Sequence, residues 1–172
     1  MDAVKKQCMI AISGVKNSGK TTFLEKLIPE LLECGLKTAV IKHDGHDFVP
    51  DVPGTDSSRL RCAGACGTAV FSRNRWMLAK DEPGMDEARL AQLFPEADLI
   101  LLEGMKDSAY PKIELVRGAV SRESVCVPET LLALVTDTDL TLPGVPVFGF
   151  GEVKKCAEIL VREWKKQTKI GH

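Results

Sequence analysis

Apolar residues recur along this chain in two spacings, and the spacings sort it into elements. Residues 7–13 form a short apolar run, which fits a strand. Residues 20–34 place apolar side chains at 23, 24, 27, 28, 31 and 32, one face of a helix. Gly35 supplies its stop, and Pro29 inside it denies one i−4 hydrogen bond and predicts a local bend. A β-branched run over 37–42 reads as a second strand ending at His43. Residues 44–55, rich in Asp, Gly and Pro, read as a loop. Asp56 is placed to cap a helix through Ala63. Residues 68–72 and 76–79 form a predicted hairpin around Arg73-Asn74-Arg75, a turn without glycine. A helical stretch over 86–94 stops at Pro95.

Residues 97–102 are almost wholly apolar, which suits a parallel strand covered on both faces. Further strands are predicted at 112–116, 131–135 and 145–148. The last helix, 152–166, carries apolar residues at 153, 156, 157, 160 and 164. Strands alternate with helices at both ends, and the middle is richer in strand. The pattern predicts an α/β fold: a three-layer sandwich with a mostly parallel central sheet and a strand-rich insertion.

One segment narrows this fold. Gly14-Val15-Lys16-Asn17-Ser18-Gly19-Lys20-Thr21 fits G-x-x-x-x-G-K-[ST], the phosphate-binding loop, and lies between the first strand and the first helix as that motif requires. Gly14 and Gly19 let the backbone turn its N–H groups toward phosphate oxygens. Lys20 adds a point charge for the β- and γ-phosphates, the Thr21 hydroxyl suits magnesium, and the following helix directs its positive end at the anion. The expectation is a P-loop NTPase sandwich forming one nucleotide-binding domain over 1–172, a length that suits one core.

Composition removes several alternatives. A net charge of −1 offers no field to gather nucleic acid or anionic lipid. Cysteines 8, 34, 62, 66, 126 and 156 contain no C-x-x-C pair, so neither a zinc ribbon nor a thioredoxin-like motif is readable, and reduced thiols are expected. Lys5 and Lys6 before an apolar run mimic a secretory signal, but that run leads straight into the phosphate loop and is better read as core strand. No stretch is long enough to cross a bilayer, so the cytoplasm is the expected address.

Other candidate chemistry lies at strand ends. Glu103 closes the run that Asp98 opens, with Gly104 turning the chain away. In open α/β sheets ligands sit at the carboxyl ends of strands. A carboxylate there could hold magnesium or orient a water, and Asp98 is about 17 Å away by strand rise. His43 and His46, with Asp47, read as a loop facing nucleotide or substrate, as a weak transition-metal site, or as plain polar loop. Asp51 and Asp56 are candidate outer magnesium groups. Lys16 could neutralise a phosphate across a dimer interface or simply be solvated. Arg59, Lys106, Lys112 and Arg117 are candidates to converge on an anionic substrate. No N-K-x-D is present; Asp137, after a core strand, could accept from guanine N1–H and N2–H, or be a turn aspartate.

An ordered set of motifs then points to a family: the phosphate loop through Thr22, Ile41-Lys42-His43-Asp44, Asp56-Ser57 with Arg59, Leu102-Glu103-Gly104 with Lys106, and Pro111-Lys112-Ile113-Glu114-Leu115 with Arg117. The chain resembles the MobB family of molybdopterin-guanine dinucleotide biosynthesis adaptor proteins, closely over 9–117. The resemblance implies a GTP-binding, weakly GTP-hydrolysing homodimer. It would assist attachment of GMP to molybdopterin, working with the molybdenum cofactor guanylyltransferase and cofactor-carrying proteins. It implies phosphate roles for Gly14 to Thr22, a metal or water role for Glu103, and switch or substrate roles for His43, Asp56 and Arg59. Gly45, Thr55 and Met105 depart from the family's usual residues. A nickel-chaperone-like GTPase would need a Cys-Pro-x-His site, which is absent. A small-molecule kinase would need an Arg-rich lid, where the segment after Gly104 contains proline and reads as strand.

Overall fold

The computed structural model describes residues 7–45 and 48–169, so Lys5, Lys6, His46 and Asp47 lie outside it. Its contacts form two compact units. One is built from the chain up to His43 and from Glu87 onward; the other is Asp44–Asp86.

The first unit carries a six-stranded sheet: β1 (Cys8–Ser13), β2 (Thr38–Lys42), β5 (Leu99–Glu103), β6 (Lys112–Val116), β7 (Leu131–Thr136) and β8 (Val147–Phe148). The strand order is β2-β5-β1-β6-β7-β8, and every pairing is parallel. On one face Ile10, Ile12, Leu99, Leu101, Ile113, Leu115 and Val135 pack against two helices, α1 (Lys20–Glu33) and α4 (Val153–Lys169). On the other, Ala11, Ile41, Ile100 and Leu102 pack with Ala91 of α3 (Glu87–Ala91) and with Ala97. Both faces of β1 and β5 are thus covered, which is why those strands read as unbroken apolar runs. The three-layer α/β sandwich expected from the pattern is the fold observed.

Local differences have local causes. The strand predicted at 97–102 begins at Leu99, because the Asp98 carboxylate accepts the Lys37 N–H (3.0 Å) just before it. Glu103 is its last residue. The strand predicted at 145–148 shrinks to Val147–Phe148; Pro146 has no N–H to donate, although its carbonyl accepts from Leu134 (2.9 Å). The helix predicted over 86–94 is five residues long and decays into turns closed on Leu90 and Ala91. Pro29 lies inside α1, which runs through it, while Leu32 departs from the buried stripe and is 65% exposed.

The second unit holds α2 (Asp56–Cys62) and an antiparallel hairpin of β3 (Gly67–Phe71) and β4 (Trp76–Lys80). Thr55, not Asp56, caps α2: its hydroxyl oxygen accepts the Ser58 N–H while the hydroxyl donates to Val52 O (2.9 Å). The hairpin leaves Val70, Phe71, Trp76, Met77 and Leu78 exposed. Among the described residues no helix is long and apolar enough to cross a membrane.

Candidate functional site

The chain leaves the carboxyl end of β1 at the centre of the sheet, with β5 on one side and β6 on the other. Parallel strands that continue to opposite sides of a central one open a crevice beyond their ends. The phosphate loop fills it. Gly14 (φ +134°), Asn17 (φ +64°) and Gly19 (φ +91°) take left-handed backbone conformations that fold the loop over the start of α1. Gly19 is the helix N-cap and brings no side-chain acceptor, so the first N–H groups of α1 have no side-chain cap. Ser18 is buried, and its Oγ has no hydrogen-bond partner. Val15 is half-buried, and Lys16 and Thr22 face solvent.

Lys20 Nζ donates to the carbonyls of Gly14 (3.1 Å) and Val15 (2.7 Å). Burial lowers its pKa below the ordinary lysine value; the Glu103 carboxylate opposes that shift and the Lys42 ammonium adds to it. A partly buried ammonium interacts more strongly with an anion placed beside it than a fully solvated one does.

Glu103 is 8% exposed, and its Oε1 accepts from Thr21 Oγ1 at 2.9 Å. The Lys42 ammonium stands 3.9 Å from the same oxygen. Register pairs Glu103 with Ile12 of β1 and with Lys42 of β2, so the carboxyl ends of the three strands lie within a residue of one level. The Ser13 hydroxyl donates to Gly104 O (2.5 Å), and the His43 N–H donates to Glu103 O (3.1 Å), fixing the turn that follows. His43 presents its side chain to solvent.

Arg117, just past β6, connects this loop to a second feature. Its Nε donates to Ser18 O (3.4 Å), its guanidinium lies 4.0 Å from the Phe150 ring centroid, and Nη1 is 3.9 Å from Asp137 Oδ2. Asp137 Oδ1 accepts the Gly118 N–H at 2.6 Å. Beyond Asp137 lies an open cavity of about 500 Å³ lined by Gly118, Ala119, Arg122, Asp137, Thr138 and Asp139.

Other sequence candidates lie elsewhere. Lys112 does not converge with Arg117 on an open edge. It sits at the amino end of β6, is fully buried, and donates to Lys106 O (3.2 Å) and Ser108 O (2.5 Å), pinning the loop after β5. Burial lowers its pKa. Glu114, one pleat on and also fully buried, accepts from Ser124 Oγ (2.5 Å) and Val125 N (2.7 Å). The sequence offered no sign that these two charges would be internal. Asp56 and Arg59 belong to the second unit, where they pair with each other at 3.6 Å in solvent. Asp51, also there, is held by the Ser57 hydroxyl, which lowers its pKa. Sequence reading gave no separate role to Lys42, seen there only as part of the Ile41-Lys42-His43-Asp44 motif, or to Arg122 and Asp139; their places at or beyond the ends of β2, β6 and β7 were the available signal.

A triphosphate with magnesium suits these groups. The donors at the start of α1 and the orphan Ser18 hydroxyl match anionic oxygens, and Thr21 with Glu103 supplies the hard oxygen atoms that magnesium prefers. Among the described residues no group of three His, Cys, Asp or Glu side chains could hold a metal ion.

Comparison with known proteins agrees with the motif set. The family model described as "Molybdopterin guanine dinucleotide synthesis protein B" (MobB) matches residues 9–137. A "Molybdopterin-guanine dinucleotide biosynthesis adapter protein" of Escherichia coli is 37% identical over 167 residues, 93% of this chain and 95% of that protein. The crystal structure of Bacillus subtilis MobB superposes with a TM-score of 0.73 at 27% identity, over 91% of this chain and 97% of that one. HypB from Helicobacter pylori, solved in complex with nickel, shares the fold alone: TM-score 0.52, 16% identity, 95% and 90% coverage.

Proposed function

Because the chain belongs to the MobB family of molybdopterin guanine dinucleotide synthesis proteins, we propose that it is a GTP-binding adapter in molybdopterin-guanine dinucleotide biosynthesis. It hydrolyses GTP slowly and assists a molybdenum cofactor guanylyltransferase, and the proteins that carry the cofactor, in joining GMP to molybdopterin. One observation carries the nucleotide reading: Thr21 Oγ1 and Glu103 Oε1 meet at 2.9 Å beside a loop whose lysine is partly buried and folded back on the loop's own carbonyls. The backbone N–H groups from Gly14 to Thr22 and the Lys20 ammonium hold the β- and γ-phosphates. Magnesium bound at Thr21 and Glu103 would supply charge neutralisation across those phosphates. Glu103 also orients water on the γ-phosphate side, with His43 at the rim. Lys16 is free to reach a phosphate of a second copy, and Asp56 and Arg59 serve as switch or substrate groups in the second unit. The base lies toward Asp137.

Slow turnover follows from the residues available. Arg117, the first-unit arginine that touches the phosphate loop, is already engaged with Ser18, Phe150 and Asp137 and brings no free guanidinium to the γ-phosphate. Homodimerisation is supported by the hairpin, whose Phe71 is 84% and Trp76 62% exposed; a monomer rarely leaves such a surface uncovered.

Titration calorimetry with GTP, GDP and ATP, each with magnesium, together with steady-state hydrolysis, tests the site in wild type and Lys20→Ala. GTP binding that weakens at least tenfold in the variant is expected. Unchanged affinity and unchanged turnover would reject the site. Copurification with the guanylyltransferase, compared with and without GTP, tests the adapter role.

A further inference from the structure

Asp137 and Asp139 both line the cavity beyond the phosphate loop, but they are in different chemical states. Asp137 is occupied: one oxygen takes the Gly118 N–H at 2.6 Å and the other faces the Arg117 guanidinium at 3.9 Å. That pair of contacts ties the end of β7 to the end of β6 and, through Arg117 on Ser18, to the phosphate loop. Asp139 is exposed to the cavity and holds no hydrogen bond or ion pair among the described residues. The same is true of Arg122, which lines the same cavity from the β6–β7 connection. The backbone on either side of Asp139 is nonetheless tied by hydrogen bonds. The Thr136 and Thr138 hydroxyls bond each other (2.9 Å), Thr136 Oγ1 accepts Thr138 N–H (3.1 Å), and Thr138 Oγ1 accepts Leu140 N–H (3.2 Å).

A free carboxylate and a free guanidinium lining one cavity suit a ligand with adjacent donors on one edge and adjacent acceptors on another. Guanine is such a ligand: N1–H and N2–H for the carboxylate, O6 and N7 for the guanidinium. Adenine offers a bare N1 lone pair where the carboxylate needs a donor, and an amino group where the guanidinium needs an acceptor. We propose that Asp139 reads the guanine base of the bound nucleotide, with Arg122 on O6 and N7, and that Asp137 is a positioning residue that sets the distance from base cavity to phosphate loop. This rests on the nucleotide-phosphate reading above and adds which residue confers base specificity.

The test exchanges donor for acceptor at one position. Xanthine carries a carbonyl where guanine carries the N2 amino group. Asp139→Asn therefore offers xanthine a donor at that point and deprives guanine of an acceptor. Affinities of GTP, ITP and XTP are measured by competition against a fluorescent guanine nucleotide or by calorimetry, with magnesium tripolyphosphate as the base-free probe. The expected result is GTP binding about 100-fold weaker in Asp139→Asn, with the preference between GTP and XTP reversed and tripolyphosphate affinity unchanged. Asp137→Asn weakens GTP, ITP and XTP in parallel and reverses nothing. Arg122→Ala weakens GTP and XTP alike, since both carry O6 and N7. If tripolyphosphate binds but Asp139→Asn keeps the wild-type GTP-to-XTP ratio, the base assignment is wrong and the phosphate site stands. A reversal in Asp137→Asn instead would transfer the reading role to that residue and overturn the proposal. If neither nucleotide nor tripolyphosphate binds wild type, both the phosphate reading and the base assignment fall.

Discussion

Replacing Gly14 and Gly19 separately by alanine sets one loop position against another. Both have positive φ, so each substitution carries a left-handed backbone penalty of about 1–2 kcal/mol. Their surroundings differ. At Gly14 a Cβ would be driven into the backbone carbonyl of Leu115 in β6 and would stand 2.8 Å from Ser18 Oγ. The hydroxyl can rotate away. The carbonyl belongs to a strand locked between β1 and β7, so relief requires moving β6 against the core. Overpacking against an immovable neighbour adds about 1–3 kcal/mol. At Gly19 the nearest atom is Arg117 Nη2 at 3.1 Å, the end of a flexible side chain. Gly14→Ala should then destabilise the fold by about 2–5 kcal/mol, and Gly19→Ala by about 1–2 kcal/mol. Urea unfolding of both variants and wild type, read by circular dichroism at matched protein concentration, measures the difference. Nucleotide affinity should fall in both: the new methyl at position 14 pushes the loop off β6, and the one at position 19 displaces the arginine that braces the loop. Equal destabilisation, or a larger loss at Gly19, would mean that close approach of loop to β6 is not what requires glycine at position 14.

Glu103→Gln keeps the acceptor for the Thr21 hydroxyl but removes the charge; magnesium-dependent GTP affinity should drop roughly tenfold or more while affinity in chelator is unchanged, and equal loss in both conditions would refute the metal role. Burial holds Lys112 below its ordinary pKa of 10.5. Between the folded pKa and 10.5 the unfolded chain therefore binds more protons, so wild-type stability should rise with pH in that window, and Lys112→Met should lack the rise; identical pH profiles would show that the ammonium is not buried. Cys8, Cys126 and Cys156 are buried with thiol pKa values pushed up to about 12, chiefly by desolvation, whereas Cys34, Cys62 and Cys66 are exposed. A thiol reagent near pH 8 should leave the first three unmodified until denaturant is added, and mass-mapped early labelling of Cys126 would contradict this. Phe71→Asp with Trp76→Asp should convert a species of about twice 18.8 kDa to the monomer mass in sedimentation equilibrium; an unchanged mass would remove the hairpin from the dimer interface.

The phosphate loop, the parallel core strands and the packing face of α1 were legible along the chain because each depends on neighbours within a few residues. Glycine spacing sets a turn, an apolar run sets a doubly covered strand, and three-to-four spacing sets a helix face. Glu103 was readable for the same reason, as the last polar residue of an apolar run. The partnerships across the sheet were not readable. That Lys112 and Glu114 are internal follows from the loops folded over β6, whose carbonyls, hydroxyl and amide solvate those charges 4 to 11 residues away in sequence. That Arg117 braces Ser18, 99 positions earlier, follows from β1 and β6 being neighbours in space. Which of two nearby aspartates is spent on backbone and which is left facing a cavity depends on one amide of Gly118. Local chemistry specifies what a residue can do; only the packed sheet brings together the groups that leave it committed or free.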